Sequence, residues 1–274
     1  MPSKTKPAAA KKAKAAPKNP STLVTFLLDR SGSMESCRGI TIEAFNTYLN
    51  GLKEETKADI SFTLLQFNDQ SLDKCCVNES VKEVPGLTLA TYVPRGFTPL
   101  IDAAVKTIQA VDAALKTRDD KPKIVVCIQT DGAENRSREH TWEELKELVM
   151  AKTAKGWEFN FMGAGIEGYD QAAKMGIAAV STMSYDSRDW GHTQAAFAAS
   201  AQNTRSFSRG LSKNMQYSVS DRMSAGDAYF GRWLGGDPQI VTPRPAAAQI
   251  FTAKIDLTVK TPETPKPLFA NFKL

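Results

Sequence analysis

Five oxygen-bearing side chains stand at three separate points of the sequence, and their types suit one kind of chemistry. Asp29, Ser31 and Ser33 form a D-x-S-x-S motif directly after an apolar run, Thr98 lies in a later loop, and Asp131 follows a second apolar run. Carboxylate and hydroxyl oxygens, with no histidine or thiolate among them, are hard ligands that suit Mg²⁺ or Mn²⁺ with several waters retained. These residues predict a divalent-cation site, provided that the fold brings them together.

The apolar patterning predicts a fold that would do this. Short apolar runs alternate with segments of helical periodicity, which is typical of an α/β fold with a Rossmann-like, doubly wound, mostly parallel sheet and helices on both faces. The predicted strands are 23–28, 60–67, 123–129, 159–163 and 178–183, with short strands and turns over 72–93. The predicted helices are 40–55, 100–116, 142–155, 169–175 and 193 to about 209. Ligands bind beyond the carboxyl ends of the strands in such a sheet, where Asp29 and Asp131 fall.

Two predicted helix starts carry capping signals. Thr98 precedes Pro99, a favoured first helical residue, so we expect the Thr98 hydroxyl at the N-cap position of the helix that follows. Thr141 and Glu144 have the spacing of a capping box at the start of the next helix. A hydroxyl held rigidly at a helix end would suit a metal ligand.

The D-x-S-x-S motif, followed by Thr98 and then by Asp131, resembles the metal-ion-dependent adhesion site of von Willebrand factor type A domains, and the resemblance covers about residues 21–210. It implies a Rossmann-like domain that binds one divalent cation. It further implies that Ser31, Ser33 and Thr98 coordinate the ion directly and that Asp29 and Asp131 act largely through water. An open coordination position would accept a carboxylate from a partner protein, so the resemblance implies binding rather than catalysis.

The setting and the partner are expectations of a coarser kind. No apolar run is long enough for a transmembrane helix, and no signal peptide is recognisable, so we expect a cytoplasmic protein, or a virion-associated one if the chain is phage-encoded. The nearer members of the family are then the intracellular bacterial and phage-encoded ones, some of which work with AAA+ ATPases. Such an ATPase would be a separate protein, because the sequence lacks the pattern G-x-x-x-x-G-K-[ST].

The basic charge of the chain belongs to a tail. Residues 1–20 contain six lysines and no acid, which is more than the whole net charge of +5, and they contain no aromatic residue. We therefore interpret them as a disordered, solvated Lys/Ala/Pro-rich tail and expect no nucleic-acid partner. The four cysteines show no C-x-x-C spacing and no clustering with histidine, so reduced thiols are expected and a zinc site is not.

Proline distribution suggests the boundaries of the folded part. Ten of the 14 prolines lie in residues 1–20 or after residue 236. We predict a von Willebrand factor type A domain over 21–210, a connecting segment of unclear structure over 211–236, and a Pro-rich tail over 237–274. The tail contains a strictly alternating run, 251–260, that predicts a lone β-strand needing an edge to pair with. An alternative function follows, in which the chain is an assembly component whose contacts are made mainly by this strand.

Two enzymatic alternatives have less support. Residues 163–168 fit the dinucleotide-binding pattern G-x-G-x-x-G, with Asp186 further on, but the first strand, where this pattern normally lies, carries the D-x-S-x-S motif instead. We interpret these glycines as a tight strand-to-helix turn. A serine hydrolase would pair a serine of the motif with His140 or His192, but no G-x-S-x-G is present. We expect no enzyme and keep a nucleotide-dependent enzyme as the last alternative.

Overall fold

The computed structural model describes residues 21–164, 167–227 and 229–230. Within these residues the strands are β1 (Ser21–Asp29), β2 (Asp59–Phe67), β3 (Leu72–Ser80), β4 (Lys123–Thr130), β5 (Glu158–Ala164) and β6 (Thr182–Tyr185). The α-helices are α1 (Arg38–Lys53), α2 (Leu100–Leu115), α3 (Trp142–Thr153), α4 (Glu167–Lys174), α5 (Trp190–Ser208) and α6 (Val219–Ser224). Short 3₁₀ turns cover Gly32–Cys37 and Ala179–Ser181.

The strands form one sheet in the order β3-β2-β1-β4-β5-β6. All neighbours are parallel except β3, which runs antiparallel to β2 at the edge. The central strand β1 pairs with β2 on one side and β4 on the other, so that Leu28 lies beside Gln66 and Gln129. The carboxyl ends of β1 and β4 therefore meet at one edge of the sheet, and the predicted mostly parallel α/β fold is confirmed.

The centre of the sheet is buried on both faces, because helices cover each of them. On one face Phe26 packs edge-on against Phe45 of α1, with ring centroids 5.3 Å apart, and stacks on Phe197 of α5 at 6.1 Å. On the other face Leu27 lies in a second apolar cluster with Ile108 of α2 and neighbours from α3. Burial of both faces explains why residues 23–28 of β1 are apolar except for Thr25 and do not alternate with polar residues.

Two sequence predictions were wrong in detail. The region 72–93 forms one strand, β3, followed by a long loop that is anchored by buried Val84 and Tyr92. The first half of the predicted strand 178–183 is the 3₁₀ turn, and β6 begins at Thr182. The Arg222 guanidinium donates to the carbonyl oxygens of Ala179 and Val180, each at 3.0 Å, in the 3₁₀ turn that directly precedes β6.

The segment after α5, for which the sequence predicted no structure, packs onto the domain as far as it is described. Met215 and Tyr217 are buried, and α6 begins with a capping box between Ser218 and Asp221. Arg222 of α6 is 2% exposed and pairs with buried Asp227 at 3.1 Å. These contacts extend the folded unit beyond residue 210.

The predicted N-terminal tail and the whole predicted Pro-rich tail over 237–274, with its strand at 251–260, lie outside the described residues. In the part that the structure describes, no helix is long and apolar enough to cross a bilayer.

Candidate metal centre

Three loops meet at the carboxyl edge of the sheet, and we call them the first (residues 30–37), second (81–99) and third (131–141) site loops. The hydroxyl of Ser33 donates to Oδ1 of Asp131 at 2.8 Å, and the Ser31 and Ser33 hydroxyl oxygens lie 3.1 Å apart. The Ser33–Asp131 contact joins residues 98 positions apart, and it forms because β1 and β4 are neighbours. The structure thus brings together three of the five predicted ligands through their side chains.

Asp29 lies at the end of β1, directly beneath this group. Its carboxylate is 0% exposed and accepts hydrogen bonds from the Ser31 amide at 2.7 Å and the Thr130 hydroxyl at 2.6 Å. Burial raises the pKa of Asp29 to about 6, and it also raises the pKa of Asp131. Buried carboxylates are costly unless a cation compensates them.

Thr98 also lies at the site, but it is not the N-cap residue of α2 that the sequence predicted. The N-cap position of α2 is Pro99, and the helix amides of Ile101 and Asp102 are bonded by Glu134 and Ser137 of the third site loop. The predicted N-cap role of Thr98 is therefore wrong, because the third loop caps α2. Thr98 is 2% exposed, so its hydroxyl lies beneath the surface of the site.

The position of the Thr98 hydroxyl is marked by Gly132. A methyl group built at Gly132 would lie 3.3 Å from the Ser33 hydroxyl oxygen and 3.5 Å from that of Thr98. These two hydroxyls, from the first and second site loops, therefore converge on the backbone that follows Asp131. The absence of a side chain at Gly132 leaves room between them.

The donor set fits a divalent cation of the hard type. It supplies three hydroxyl and two carboxylate groups, and within the described residues no lysine, arginine or histidine pairs with Asp29 or Asp131. An oxygen set with uncompensated negative charge suits Mg²⁺ or Mn²⁺. In the same described ranges, no three His, Cys, Asp or Glu side chains are grouped so as to hold a metal on their own.

Hydrogen bonds between the loops fix this geometry. The backbone amide of Thr98 donates to the side-chain Oδ1 of Asn135, and the backbone amide of Asn135 donates back to the Thr98 carbonyl oxygen. The carboxylate of Asp102 in α2 accepts from the amides of Arg138, Glu139 and His140 at 2.8–3.1 Å. Sequence reasoning missed Asn135 and Asp102, because each acts on a residue more than 30 positions away and neither belongs to a local motif.

The first and second site loops are joined through their backbones. The Gly32 amide donates to the Gly96 carbonyl at 2.9 Å, and the Arg95 amide donates to the Arg30 carbonyl at 2.9 Å. Gly96 has φ +75°, and a side chain there would collide with Asp69, whose Oδ1 accepts from the Phe97 amide. Glycine is therefore required at this position.

Cys37 lies at the back of the site as a thiol. Its sulfur is 3.8 Å from Oδ2 of Asp131, and burial raises its pKa to about 11. The group stays protonated at neutral pH, so it can donate weakly to Asp131 but offers no thiolate to a metal.

The residues of the enzymatic alternatives have other contacts. A methyl group at Gly163 would lie 2.8 Å from the Cα of Gly168, so these glycines let β5 approach α4, while residues 165 and 166 of the pattern lie outside the described ranges. Nδ1 of His140 lies 3.6 Å from Oε2 of Glu144, and Nδ1 of His192 lies 3.5 Å from Oδ1 of Asp189. Neither histidine is hydrogen-bonded to a serine of the first site loop within the described structure.

Comparison with known proteins finds solved structures that resemble the fold of this chain but no protein that matches its sequence. No protein-family model and no curated protein matches the sequence. The pilus adhesin SpaC from Lactobacillus rhamnosus GG matches with a TM-score of 0.51 and 11% identity over 70% of this chain and 30% of that chain. The vWF domain of the pilus tip protein Mfa5 from Porphyromonas gingivalis matches with a TM-score of 0.48 and 8% identity over 69% and 96%. The manganese-loaded TRAP protein of Plasmodium vivax matches with a TM-score of 0.46 and 18% identity over 66% of this chain and 74% of that chain.

The similarity is one of fold. Solved von Willebrand factor type A domains are among the structures matched, and the strand order found here is the Rossmann-like α/β arrangement that the sequence predicted. The chain spans about half the length of the mussel byssus proximal thread matrix protein 1, which it also matches, at 46% of that chain. The described residues therefore define an α/β protein with a six-stranded, mostly parallel sheet, and its likeness to the solved structures is one of fold alone.

Proposed function

We propose that this chain is a divalent-metal-dependent protein-binding module. The observation that carries the proposal is the convergence of Ser31, Ser33 and Asp131 at the carboxyl edge of the sheet, where the Ser33 hydroxyl lies 3.1 Å from that of Ser31 and 2.8 Å from Oδ1 of Asp131. Thr98 and Asp29 complete the set from either side. Mg²⁺ or Mn²⁺, when bound, would offer an open coordination position to a carboxylate oxygen of a partner protein.

The charge balance of the site supports this proposal. Asp29 and Asp131 are held near one another with no positive side chain to compensate them, and burial disfavours their charged forms. The three hydroxyls proposed as direct ligands are neutral, so they would leave the charge of a bound dication undiminished at its open coordination position. Such a site favours an anionic group from outside.

The surrounding residues act as a rigid support. Asn135 holds the Thr98 backbone, and Thr130 and the Ser31 amide orient Asp29. The likeness in fold to the pilus adhesin SpaC is in keeping with a binding role. A partner segment with an exposed Asp or Glu is therefore the occupant we propose, whether it belongs to an AAA+ ATPase or to another protein.

Metal binding is the first part of the test. Isothermal titration of the full chain with Mn²⁺ should show one site, and Thr98→Ala should lose it while keeping a native circular dichroism spectrum. Ser80→Ala is the matched control, because Ser80 is an exposed hydroxyl that pairs with Ser61 near the opposite edge of the sheet. Equal Mn²⁺ affinity in wild type and Thr98→Ala would contradict the assigned ligand set.

Partner binding is the second part. Peptides with a single central Glu should bind the wild-type chain in Mg²⁺ and be released by EDTA, whereas the same peptides with Gln in place of Glu should not bind. Peptide binding that is indifferent to EDTA would contradict the metal-dependent mechanism.

A further inference from the structure

An exposed aromatic ring and an arginine flank the candidate metal site. Phe97, directly before Thr98, is 51% exposed although it is a large apolar residue. The guanidinium of Arg136 lies 5.0 Å from the centre of the Phe97 ring, within the range of a cation–π contact. Arg136 in turn follows Asn135, the residue that holds the Thr98 backbone. The pair is therefore tied to the site through both the second and the third site loops.

A polar cleft lies next to this pair and is lined by Arg136. It has a volume of about 390 Å³ and lies between the β2–β3 turn, Pro99 and the start of α2, and residues 136–139 of the third site loop. Side chains of both charges line the cleft. The basic ones are Lys106, Arg136 and Arg138, and the acidic ones are Asp69, Asp102 and Glu139.

The acids of the cleft are already engaged. Asp102 accepts three backbone amides, Asp69 accepts the Phe97 amide at 2.9 Å, and Glu139 pairs with Lys106 at 2.7 Å. Within the described ranges, the guanidinium groups of Arg136 and Arg138 have no carboxylate within 4.0 Å. The cleft therefore presents two uncompensated arginines beside an exposed aromatic ring.

We infer that this surface, which we call the arginine cleft (Phe97, Arg136 and Arg138), selects an acidic partner segment. The inference rests on the proposed function and deepens it. One carboxylate of the segment occupies the metal site, and a second acidic side chain a few residues away pairs with Arg136 or Arg138. Arginine suits this role because its planar group binds a carboxylate through two hydrogen bonds, and arginine and aromatic residues are enriched at the centres of interfaces.

The spacing of the two acids follows from chain dimensions. The Arg136 guanidinium lies 5.0 Å from the centre of the Phe97 ring, and Phe97 directly precedes Thr98, so the arginine is close to the metal site. An extended peptide advances about 3.3 Å per residue. The second acid should therefore lie roughly two to four residues from the metal-binding one.

A peptide panel tests the inference on the full chain. The probes are eleven-residue peptides with a central Glu, Ser and Gly flanks, and Asp, Lys or Ser placed two, three or four residues from the centre, measured in Mg²⁺ by fluorescence anisotropy. The Asp peptides should bind best, and the double variant Arg136→Glu/Arg138→Glu should weaken their binding by about tenfold, since both arginines that can pair with the second acid are reversed in charge. Weaker binding with rising NaCl should accompany the preference.

The variants are chosen to leave the fold and the metal site intact. The bonds that hold the third site loop use the backbone amides of Arg136 and Arg138, not their side chains. Lys82→Glu, an exposed charge reversal in the turn after β3, is the control and should change nothing. Mn²⁺ affinity, measured on the same samples, should be equal in all three proteins.

Each other outcome overturns the inference in a recognisable way. If all Glu-centred peptides bind equally in Mg²⁺ and are released by EDTA, the arginine cleft selects nothing although the proposed function stands. If no peptide binds in Mg²⁺, the proposed function and the inference both fail. If a phosphopeptide or an oligonucleotide binds through Arg136 and Arg138 better than the Asp peptides do, the partner class is wrong.

Discussion

The amide of Thr98 donates to Oδ1 of Asn135 at 2.9 Å, and the amide of Asn135 donates to the carbonyl oxygen of Thr98 at 3.1 Å. This reciprocal pair joins the second and third site loops at the position where the predicted ligands converge. It orients the Thr98 hydroxyl through the backbone, without any contact from Asn135 to that hydroxyl. Asn135 is thus a positioning residue for the site.

Asn135→Ala should weaken Mn²⁺ binding by about tenfold or more, the range found when groups that orient metal ligands are removed. The side chain accepts a bond from the Thr98 amide, so its loss frees the second site loop to move. Isothermal titration would measure the change, and Asn214→Ala, at an exposed asparagine, is the control. An unaltered dissociation constant in Asn135→Ala would show that the pair does not position Thr98.

Gly132→Ala should abolish metal binding with little effect on stability. The added methyl would lie 3.5 Å from the Thr98 hydroxyl oxygen, an ordinary contact, and 3.3 Å from that of Ser33, which has to give by a few tenths of an ångström, so the methyl fills the space between the two hydroxyls. Titration with Mn²⁺ and urea denaturation together would check this. Gly39→Ala in α1 meets nothing within 4 Å and should bind metal normally. Full Mn²⁺ affinity in Gly132→Ala would place the ion elsewhere.

Mg²⁺ should raise the melting temperature of the chain, because an ion that binds the folded state alone stabilises it. A hundredfold excess over the dissociation constant adds about 2.7 kcal/mol, or several degrees for a domain of this size. Differential scanning calorimetry in EDTA and in Mg²⁺ measures the shift. Asp131→Ala should melt at the same temperature in both buffers, and a shift that persists in this variant would mean that Mg²⁺ stabilises the chain by another route.

Glu55 makes stability depend on pH at the far end of α1. Its side chain is 0% exposed and pairs with Arg209 at 2.7 Å. Burial opposes its charge, but hydrogen bonds from the Lys57 amide and the Arg209 guanidinium outweigh burial and hold the pKa of Glu55 below its usual range. A lowered pKa in the folded state means that the ionised group stabilises the fold above its unfolded pKa of about 4.3 and that this contribution is lost as the pH falls through the folded value.

Glu55→Gln should therefore cost about 1.5–3 kcal/mol of the free energy of unfolding at pH 7, the range for a hydrogen bond to a charged group. The difference from wild type should shrink as the pH falls from about 5 towards 3. Urea denaturation at several pH values measures this, with Glu54→Gln as control, since Glu54 is 54% exposed and pairs with Arg205 at the surface. A difference that stays constant with pH would exclude ionisation as its cause.

The elements that carry the site could be predicted because their signals are local. The apolar run ending at Asp29, the run ending at Thr130 and the capping box at Thr141 and Glu144 are all recorded in consecutive residues. Hydrophobic periodicity indicates which residues face the core, whichever elements pack against them. The D-x-S-x-S motif likewise placed two hydroxyls and a carboxylate on one turn.

Other features depended on partners far along the chain. Thr98 looked like an N-cap, but Glu134 and Ser137 cap α2 from the third site loop, 33 and 35 residues away. The 3₁₀ turn before β6 is bonded by Arg222, which donates to carbonyl oxygens more than 40 residues earlier. The neighbouring sequence of these residues does not predict such bonds, because they form only when the strand order brings separate loops together.

The sequence by itself determined the α/β pattern, the central buried strand and the five ligand types. The tertiary structure alone decided that β1 and β4 are neighbours, that Ser33 therefore reaches Asp131, and that Asn135 holds Thr98 in place. The physical reason is that hydrophobic periodicity is a property of neighbouring residues, whereas a site at the edge of a sheet is a property of how the strands are ordered.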